Sequence, residues 1–169
     1  RVINVNCLYS LYNQDAVQNL THAHLWNRDA DDLGPQLKIF VPLTSCDELN
    51  GQFSCLSTEI AGWGEKLLDK TLIEKYASLP DDDYRKSDAE YRLTDRTLRS
   101  NVPRESILDF SSEVGDVLLI DTNSCYHKGG LVLKEGSHRL MVQITVGSIT
   151  HSWIKHSNGL QRMVYKICF

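Results

Sequence analysis

Asp29, His127 and Arg139 are the residues of this 169-residue chain whose types and spacing could do chemistry together, and Asn27 is the position that qualifies it. A non-haem iron(II) centre that activates oxygen takes two imidazoles and one carboxylate on one face of the metal and leaves the other positions open. In "LWNRDADD", Leu25 to Asp32, Asp29 offers the carboxylate. The residue two places earlier, where such a centre carries its first histidine, is Asn27. An amide carbonyl is a neutral oxygen donor, so metal affinity should fall by more than the roughly 10- to 100-fold that follows loss of a supporting partner alone. His127, in "SCYHKGG", lies 98 residues beyond Asp29, and Arg139, in "GSHRLMVQI", lies 12 beyond His127. Singly, a histidine is more often a hydrogen-bonded structural residue and an aspartate a turn carboxylate. His22 and His24 stand an odd number of places before Asn27, so in a regular strand they face away from it unless a bulge intervenes.

Composition bounds what such a site can serve. The length suits one domain spanning 1–169 with a single core. A net charge of -4 and the lack of a Lys/Arg cluster argue against nucleic acid as a partner. No apolar run is long enough to span a bilayer, and no signal peptide is present, so a membrane is not expected as a partner either. The five cysteines, Cys7, Cys46, Cys55, Cys125 and Cys168, are scattered and odd in number, and read as reduced thiols of a cytoplasmic protein. The Asn19-Leu20-Thr21 sequon then reads as an unmodified polar turn. The chain opens on Arg1 and runs at once into strand-like sequence, which suggests that an N-terminal portion is missing. There is no GxSxG elbow, P-loop or GxGxxG. Gly129 and Gly130 suit a tight turn better than a phosphate cradle.

The elements that must position these residues are mostly strands. "RVINVNCLY", "THAHLW" and "QLKIFVPL" read as strands, the last closed by "DELNGQF", where Asn50-Gly51 tolerates the positive φ of a reversal. Over residues 62–79 the period changes: Leu68, Leu72 and Tyr76 recur four apart while Glu65, Lys66, Asp69 and Lys70 fill the other face, which predicts an amphipathic helix ended by Pro80. Residues 81–99 hold 11 charges in 19 positions, nearly balanced in sign, and read as a solvated, mobile segment. Residues 62–100 together read as a helical, charged, lid-like insertion. Strands return in "SILDF", "GDVLLIDT", "SCYHKGG" and "HRLMVQITVGSI", which predicts a mainly β antiparallel sandwich or jelly roll. Asp29 and His127 would then come from two opposed strands.

The segments "LWNRDADD", "LKIFVPLTSCDELNGQF" and "GDVLLIDTNSCYHKGG", followed by an arginine, resemble the phytanoyl-CoA dioxygenase family of iron(II)/2-oxoglutarate-dependent oxygenases. The likeness covers about residues 20–57 and 104–147. Its motif is His-x-Asp, a distant His, then an Arg, and Asp29, His127 and Arg139 match three of the four positions. The resemblance implies a cupin-like double-stranded β-helix, with Asp29 and His127 as catalytic metal ligands and Asn27 at the place of the first histidine. It further implies Fe(II), 2-oxoglutarate as cosubstrate and O2, with hydroxylation of a small-molecule substrate and release of succinate and CO2. Arg139 would pair with the distal carboxylate of 2-oxoglutarate through its planar fork. Lys38 and Phe40 share a strand face by alternation. By the resemblance that face looks into the barrel and contacts cosubstrate or substrate; on residue type alone they are equally an edge lysine and a core phenylalanine. The alternative function is a non-catalytic pseudoenzyme or small-carboxylate-binding module on the same fold.

Overall fold

In a computed structural model of the chain, the described residues are 2–18, 20, 22–29, 36–56, 69–83, 85–86, 89–123, 125–147 and 165–167. The Asn19 sequon, the first half of the expected helix, Cys168 and most of the C-terminal run lie outside them.

Among the described residues ten strands form two five-stranded antiparallel sheets. The first contains β1 (Val2–Leu11), β9 (His138–Gly147), β3 (Gln36–Pro42), β7 (Val117–Asp121) and β10 (Tyr165–Ile167), in that spatial order. The second contains β5 (Arg92–Leu93), β2 (Trp26–Asn27), β8 (His127–Lys128), β4 (Phe53–Leu56) and β6 (Ile107–Phe110). Apart from β5, which flanks β2, and the β4–β6 pair, successive strands up to β9 alternate between the sheets. That is the jelly roll, and its consequence is that residues far apart in sequence line one interior.

Alternation decides which side chains enter that interior. Phe40 pairs with Gln143 on one side and Leu118 on the other, and Lys38 with Thr145 and Ile120. Partners in antiparallel strands project from the same face, so these rows all point inward. Phe40, Phe53, Cys55, Leu118, Ile120, Cys125 and Met141 close the core between the sheets, with the Phe40 and Phe53 rings 5.3 Å apart. The second sheet also buries its outer face. Its Trp26–Leu93 row and Leu56–Ile107 row pack with Leu98 and Val102, contributed by α3 (Asp95–Asn101) and its C-cap. Trp26 is fully buried, and truncating it to Ala should cost about 3–5 kcal/mol.

Three expectations change. "THAHLW" is not one strand: His22–His24 form a 3-10 turn and only Trp26–Asn27 pair in the sheet. The Ala23 carbonyl accepts the Gly129 amide at 2.7 Å, a loop contact that no strand period encodes. The described helix in the 62–79 region is α2 (Lys70–Tyr76), following the short α1 (Gln14–Gln18) near the N-terminus. Asp69, expected on the polar face, is instead the buried N-cap of α2, accepting the Leu72 amide at 3.0 Å. Within 81–99, Arg92–Leu93 add a strand to the second sheet, and Leu93 and Leu98 are buried, so this part is not a solvated run. The turn at Asn50-Gly51 is present, with Gly51 at φ +79°, but it carries the chain from the first sheet towards the second and does not close a hairpin. Among the described residues no helix is long and apolar enough to cross a membrane. Cys7, Cys46, Cys55 and Cys125 are free thiols, with Cys7 exposed and the others buried.

Candidate functional site

The second sheet builds one half of the site by register. Arg92 on β5 pairs with Asn27 on β2, Asn27 with His127 on β8, and His127 with Cys55 on β4. Four strands thus present one row of side chains to the interior. Asn27 and His127 are therefore neighbours on adjacent, hydrogen-bonded strands of a single sheet, where opposed strands were expected. Asp29 follows two residues after β2 and is anchored by its amide, which donates to the Thr122 carbonyl at 3.0 Å.

His127 is fixed on both sides. Its Nδ1 donates to the Cys125 carbonyl at 3.2 Å, which leaves the Nε2 lone pair facing Asp29 Oδ1 at 3.8 Å. The ring stacks on Phe53 with centroids 5.8 Å apart. Burial pushes its pKa down to about 4, against the pull of the Asp29 carboxylate, so the imidazole is neutral at pH 7. A neutral imidazole with a free lone pair is the form that ligates a metal. Asp29 is held ionised. Burial works against the charged form, but His127, Lys38 and Thr122 together outweigh it and lower the pKa. Lys38 Nζ lies 2.5 Å from Asp29 Oδ2, so the second carboxylate oxygen carries an ammonium.

The first sheet supplies the opposite wall. Arg139, Met141 and Gln143 alternate inward along β9, with Lys38 and Phe40 on β3 and Leu8 on β1. Arg139 is buried, its Nη1 donating to the carbonyls of Gly51 at 2.7 Å and Gly130 at 3.2 Å, and its Nη2 to Ser10 Oγ at 3.1 Å. Its Nε is buried without a partner, and no carboxylate of the described residues forms an ion pair with it. Two glycines make room for this. A Cβ at Gly51 would press on the Arg139 side chain at 2.9 Å, and one at Gly130 would collide with the backbone of Gln52. Gly130 therefore serves close backbone packing and an acceptor for Arg139, where a tight turn was expected.

All of these groups line one cavity of about 270 Å3, bordered by Asn27, Asp29, Lys38, Phe40, Arg92, His127, Arg139 and Gln143 among others. Asn27, Asp29, Lys38, Phe40, His127 and Arg139, the residues expected from the sequence to hold metal, cosubstrate or substrate, all lie on it. Ala23 also lines it and His24 does not, so the nearby histidine at 24 does not take the place of Asn27. Among the described residues no three His, Cys, Asp or Glu side chains cluster closely enough to hold a metal ion. The donors present are Asp29, His127 and the Asn27 amide. Sequence reasoning missed Met141 and Gln143, although they share the alternation of Arg139, and it missed Arg92, which is masked by the charged run around it.

No family model and no curated protein matches the chain. Among solved structures it is similar to EvdMO1, at a TM-score of 0.52 and 15% identity, covering 89% of this chain and 28% of that one. It is also similar to the apo form of the non-heme monooxygenase ThoJ, at 0.49 and 14%, covering 85% and 45%. A third is HygX from Streptomyces hygroscopicus with nickel and 2-oxoglutarate bound, at 0.48 and 15%, covering 97% and 66%. The chain thus spans between about a quarter and two thirds of the length of these proteins. At such identities the likeness is one of fold.

Proposed function

We propose that the chain is an Fe(II)/2-oxoglutarate-dependent oxygenase domain of the phytanoyl-CoA dioxygenase type, acting on a small organic substrate and weakened at its metal by Asn27. The observation that carries this is Arg139, a buried guanidinium with an unpartnered Nε and, among the described residues, no carboxylate paired with it, in the same cavity as Asp29 and His127. A buried cation left in this state fits an incoming carboxylate, which forms charge-assisted, forked hydrogen bonds. Asp29 and His127 would hold the iron, which when bound would supply oxygen activation coupled to decarboxylation of the 2-oxo acid. Around it, Phe53 and the Cys125 carbonyl orient the imidazole, and Phe40 and Met141 give the cavity an apolar side. The TM-score of EvdMO1 supports the fold on which this reading rests.

A second reading is favoured by the Lys38–Asp29 pair. With an ammonium 2.5 Å from the carboxylate and an amide at position 27, the corner already has a cation of its own, and the cavity would bind a small carboxylate without metal turnover. Calorimetry with 2-oxoglutarate, with and without Mn(II), separates the two. Under either reading Arg139→Ala should weaken binding by about 10- to 150-fold, the equivalent of about 1.5–3 kcal/mol for hydrogen bonds to a charged group. Under the oxygenase reading Mn(II) tightens binding in the parent and succinate forms with Fe(II) and O2. If 2-oxoglutarate binds equally to the parent, Arg139→Lys and Arg139→Ala, both readings are wrong.

A further inference from the structure

Among the described residues β1 is an outer strand of the first sheet, 10 residues long, with no charged residue and no proline in it. A free edge presents a row of unpaired N–H and C=O groups, and edges are ordinarily blunted by lysine, proline, short length or a bulge. Here the one bulge lies at the beginning of the strand, between Val2 and Asn4. The ladder fixes which residues carry the free row. The Leu43 amide donates to the Leu140 carbonyl at 2.8 Å, so the even positions of β9 bond towards β3 and its odd positions towards β1. The Tyr12 amide, which donates to the Ser137 carbonyl, continues the same phase. Asn6, Leu8 and Ser10 therefore bond to Gln143, Met141 and Arg139, while the backbone groups of Val5, Cys7, Tyr9 and Leu11 point away from the sheet. These four also turn their side chains to the outer face. Val5, Tyr9 and Leu11 are 59%, 61% and 58% exposed, and Cys7 is exposed beside them.

We propose that this edge pairs with the same edge of a second copy of the chain, antiparallel about a two-fold axis at Leu8, so that the two first sheets join into one. An identical antiparallel edge is self-complementary about such an axis. With the axis at Leu8, Val5 stands opposite Leu11 of the second copy and Cys7 opposite Tyr9, so all four free residues exchange both of their backbone bonds. Their apolar side chains then pack as cross-strand pairs on the outer face. Charge favours the same occupant: the chain carries -4 overall, and two copies meet on a strip to which neither brings a charge. A single strand edge buries less than the roughly 800 Å2 per partner of a standard interface, so the dimer is weak, with a Kd of about micromolar or above. The inward face of β1 gives Leu8 to the cavity and Ser10 to Arg139, so the pairing braces one wall of the candidate site. None of this depends on the oxygenase reading.

Sedimentation equilibrium from about 1 μM to about 500 μM, which brackets a dimer of this strength, should show the mass rise from one chain to two and stop there. Tyr9→Pro removes an N–H that points only to the free edge and puts ring carbons in its place, so it should remain a monomer throughout while the ladder to β9 is kept. Tyr9→Lys leaves the backbone alone and should weaken the dimer by about fivefold or more, through charge set into two cross-strand pairs. Val114→Lys puts the same charge on another exposed apolar residue and should dimerise as the parent does. A short bismaleimide should join two copies through Cys7, whose positions lie about 9 Å apart across the pair, and Cys7→Ser should abolish the product. Amide exchange followed residue by residue gives a readout free of any variant. Concentrating the parent should slow Val5, Cys7, Tyr9 and Leu11, whereas Asn6, Leu8 and Ser10 should be protected at both ends of the range. If Tyr9→Pro does not fold, as its thermal midpoint would show, Tyr9→Lys and the alternation of exchange decide. A parent that stays monomeric, a dimer that neither Tyr9 variant weakens, a dimer lost equally in Val114→Lys, or a mass that grows beyond two chains overturns the proposal.

Discussion

Asn27 sits between Arg92 and His127 in one row of the second sheet, buried and turned into the cavity. Under the oxygenase reading its backbone stands where the first metal ligand would be, and only the side chain differs in donor strength. Asn27→His should complete two imidazoles and a carboxylate and raise Fe(II) or Mn(II) affinity by at least about one to two orders of magnitude, while Asn27→Ala should bind metal no better than the parent. Metal titration of the three proteins checks this. An unchanged affinity in the histidine variant would mean that the three positions do not converge on one ion. Lys38 makes a second prediction here. Its ammonium on Asp29 repels a divalent cation at the same carboxylate, so Lys38→Met should strengthen Mn(II) binding by at least about tenfold, on the scale of a close charge pair in a partly buried site. Weaker binding in Lys38→Met would show that Lys38 supports the metal site instead. Asp29, His127 and Arg139 could be singled out in the sequence because ligand chemistry restricts residue type, and the fold brings all three to one cavity. It did not reveal the Lys38–Asp29 contact, since alternation gives a face and not a partner.

Elements explain what was misread. A strand of two residues, such as β5 or β2, has no period to detect, and the charges around Arg92 mask the two apolar residues, Leu93 and Leu98, that tie the segment down. The tie is electrostatic as well. Asp69 caps α2 through the Leu72 amide and also accepts the Thr94 amide at 2.8 Å and the Thr94 hydroxyl at 2.6 Å, so one carboxylate joins α2 to the start of α3. Asp69→Ala loses a cap and strands the donors of Thr94, and should destabilise the protein by about 2–4 kcal/mol. Burial tends to raise the Asp69 pKa, but the hydrogen bonds from Thr94, Thr97 and Leu72 outweigh it and hold the carboxyl below its ordinary value. A depressed folded-state pKa contributes stability above the unfolded value near 3.9, and this is lost as the pH falls towards the lower folded value. Chemical denaturation between pH 6 and acid should therefore show a smaller loss of stability in Asp69→Asn than in the parent. Equal slopes would remove Asp69 from the acid response.

At the scale of the molecule the two sheets are unequal, and the Asn27–His127 half of the site is built on the weaker one. In the first sheet β1 and β9 have 10 residues each and β3 has 7, whereas in the second β2, β5 and β8 have 2 each. The long strands were legible because alternation over seven or more residues is a strong signal, and the jelly roll followed from them. The short ones are held by the packing of Trp26, Leu93 and Leu98 and by Lys128, whose ammonium lies 2.6 Å from Asp95. Fewer ladder bonds per strand mean a lower free energy of local opening, so stability should be distributed unevenly. Amide exchange should be slow in residues 117–121 and in the centre of β9, and faster in β2, β5, β8 and across 69–100, the described part of the 62–100 segment expected from its sequence to act as a lid. A ligand that bridges Arg139 to the Asp29–His127 corner links the sheets, and by mass action it stabilises the closed form by more as its concentration exceeds its dissociation constant. Adding 2-oxoglutarate should therefore slow exchange at 127–130 and 92–93 by about tenfold or more once the ligand is about tenfold above that constant, with little change at 117–121. If exchange is uniformly slow before ligand, the unequal stability of the sheets is wrong. If 2-oxoglutarate binds but protects only β9, it rests on Arg139 alone and does not reach the second sheet.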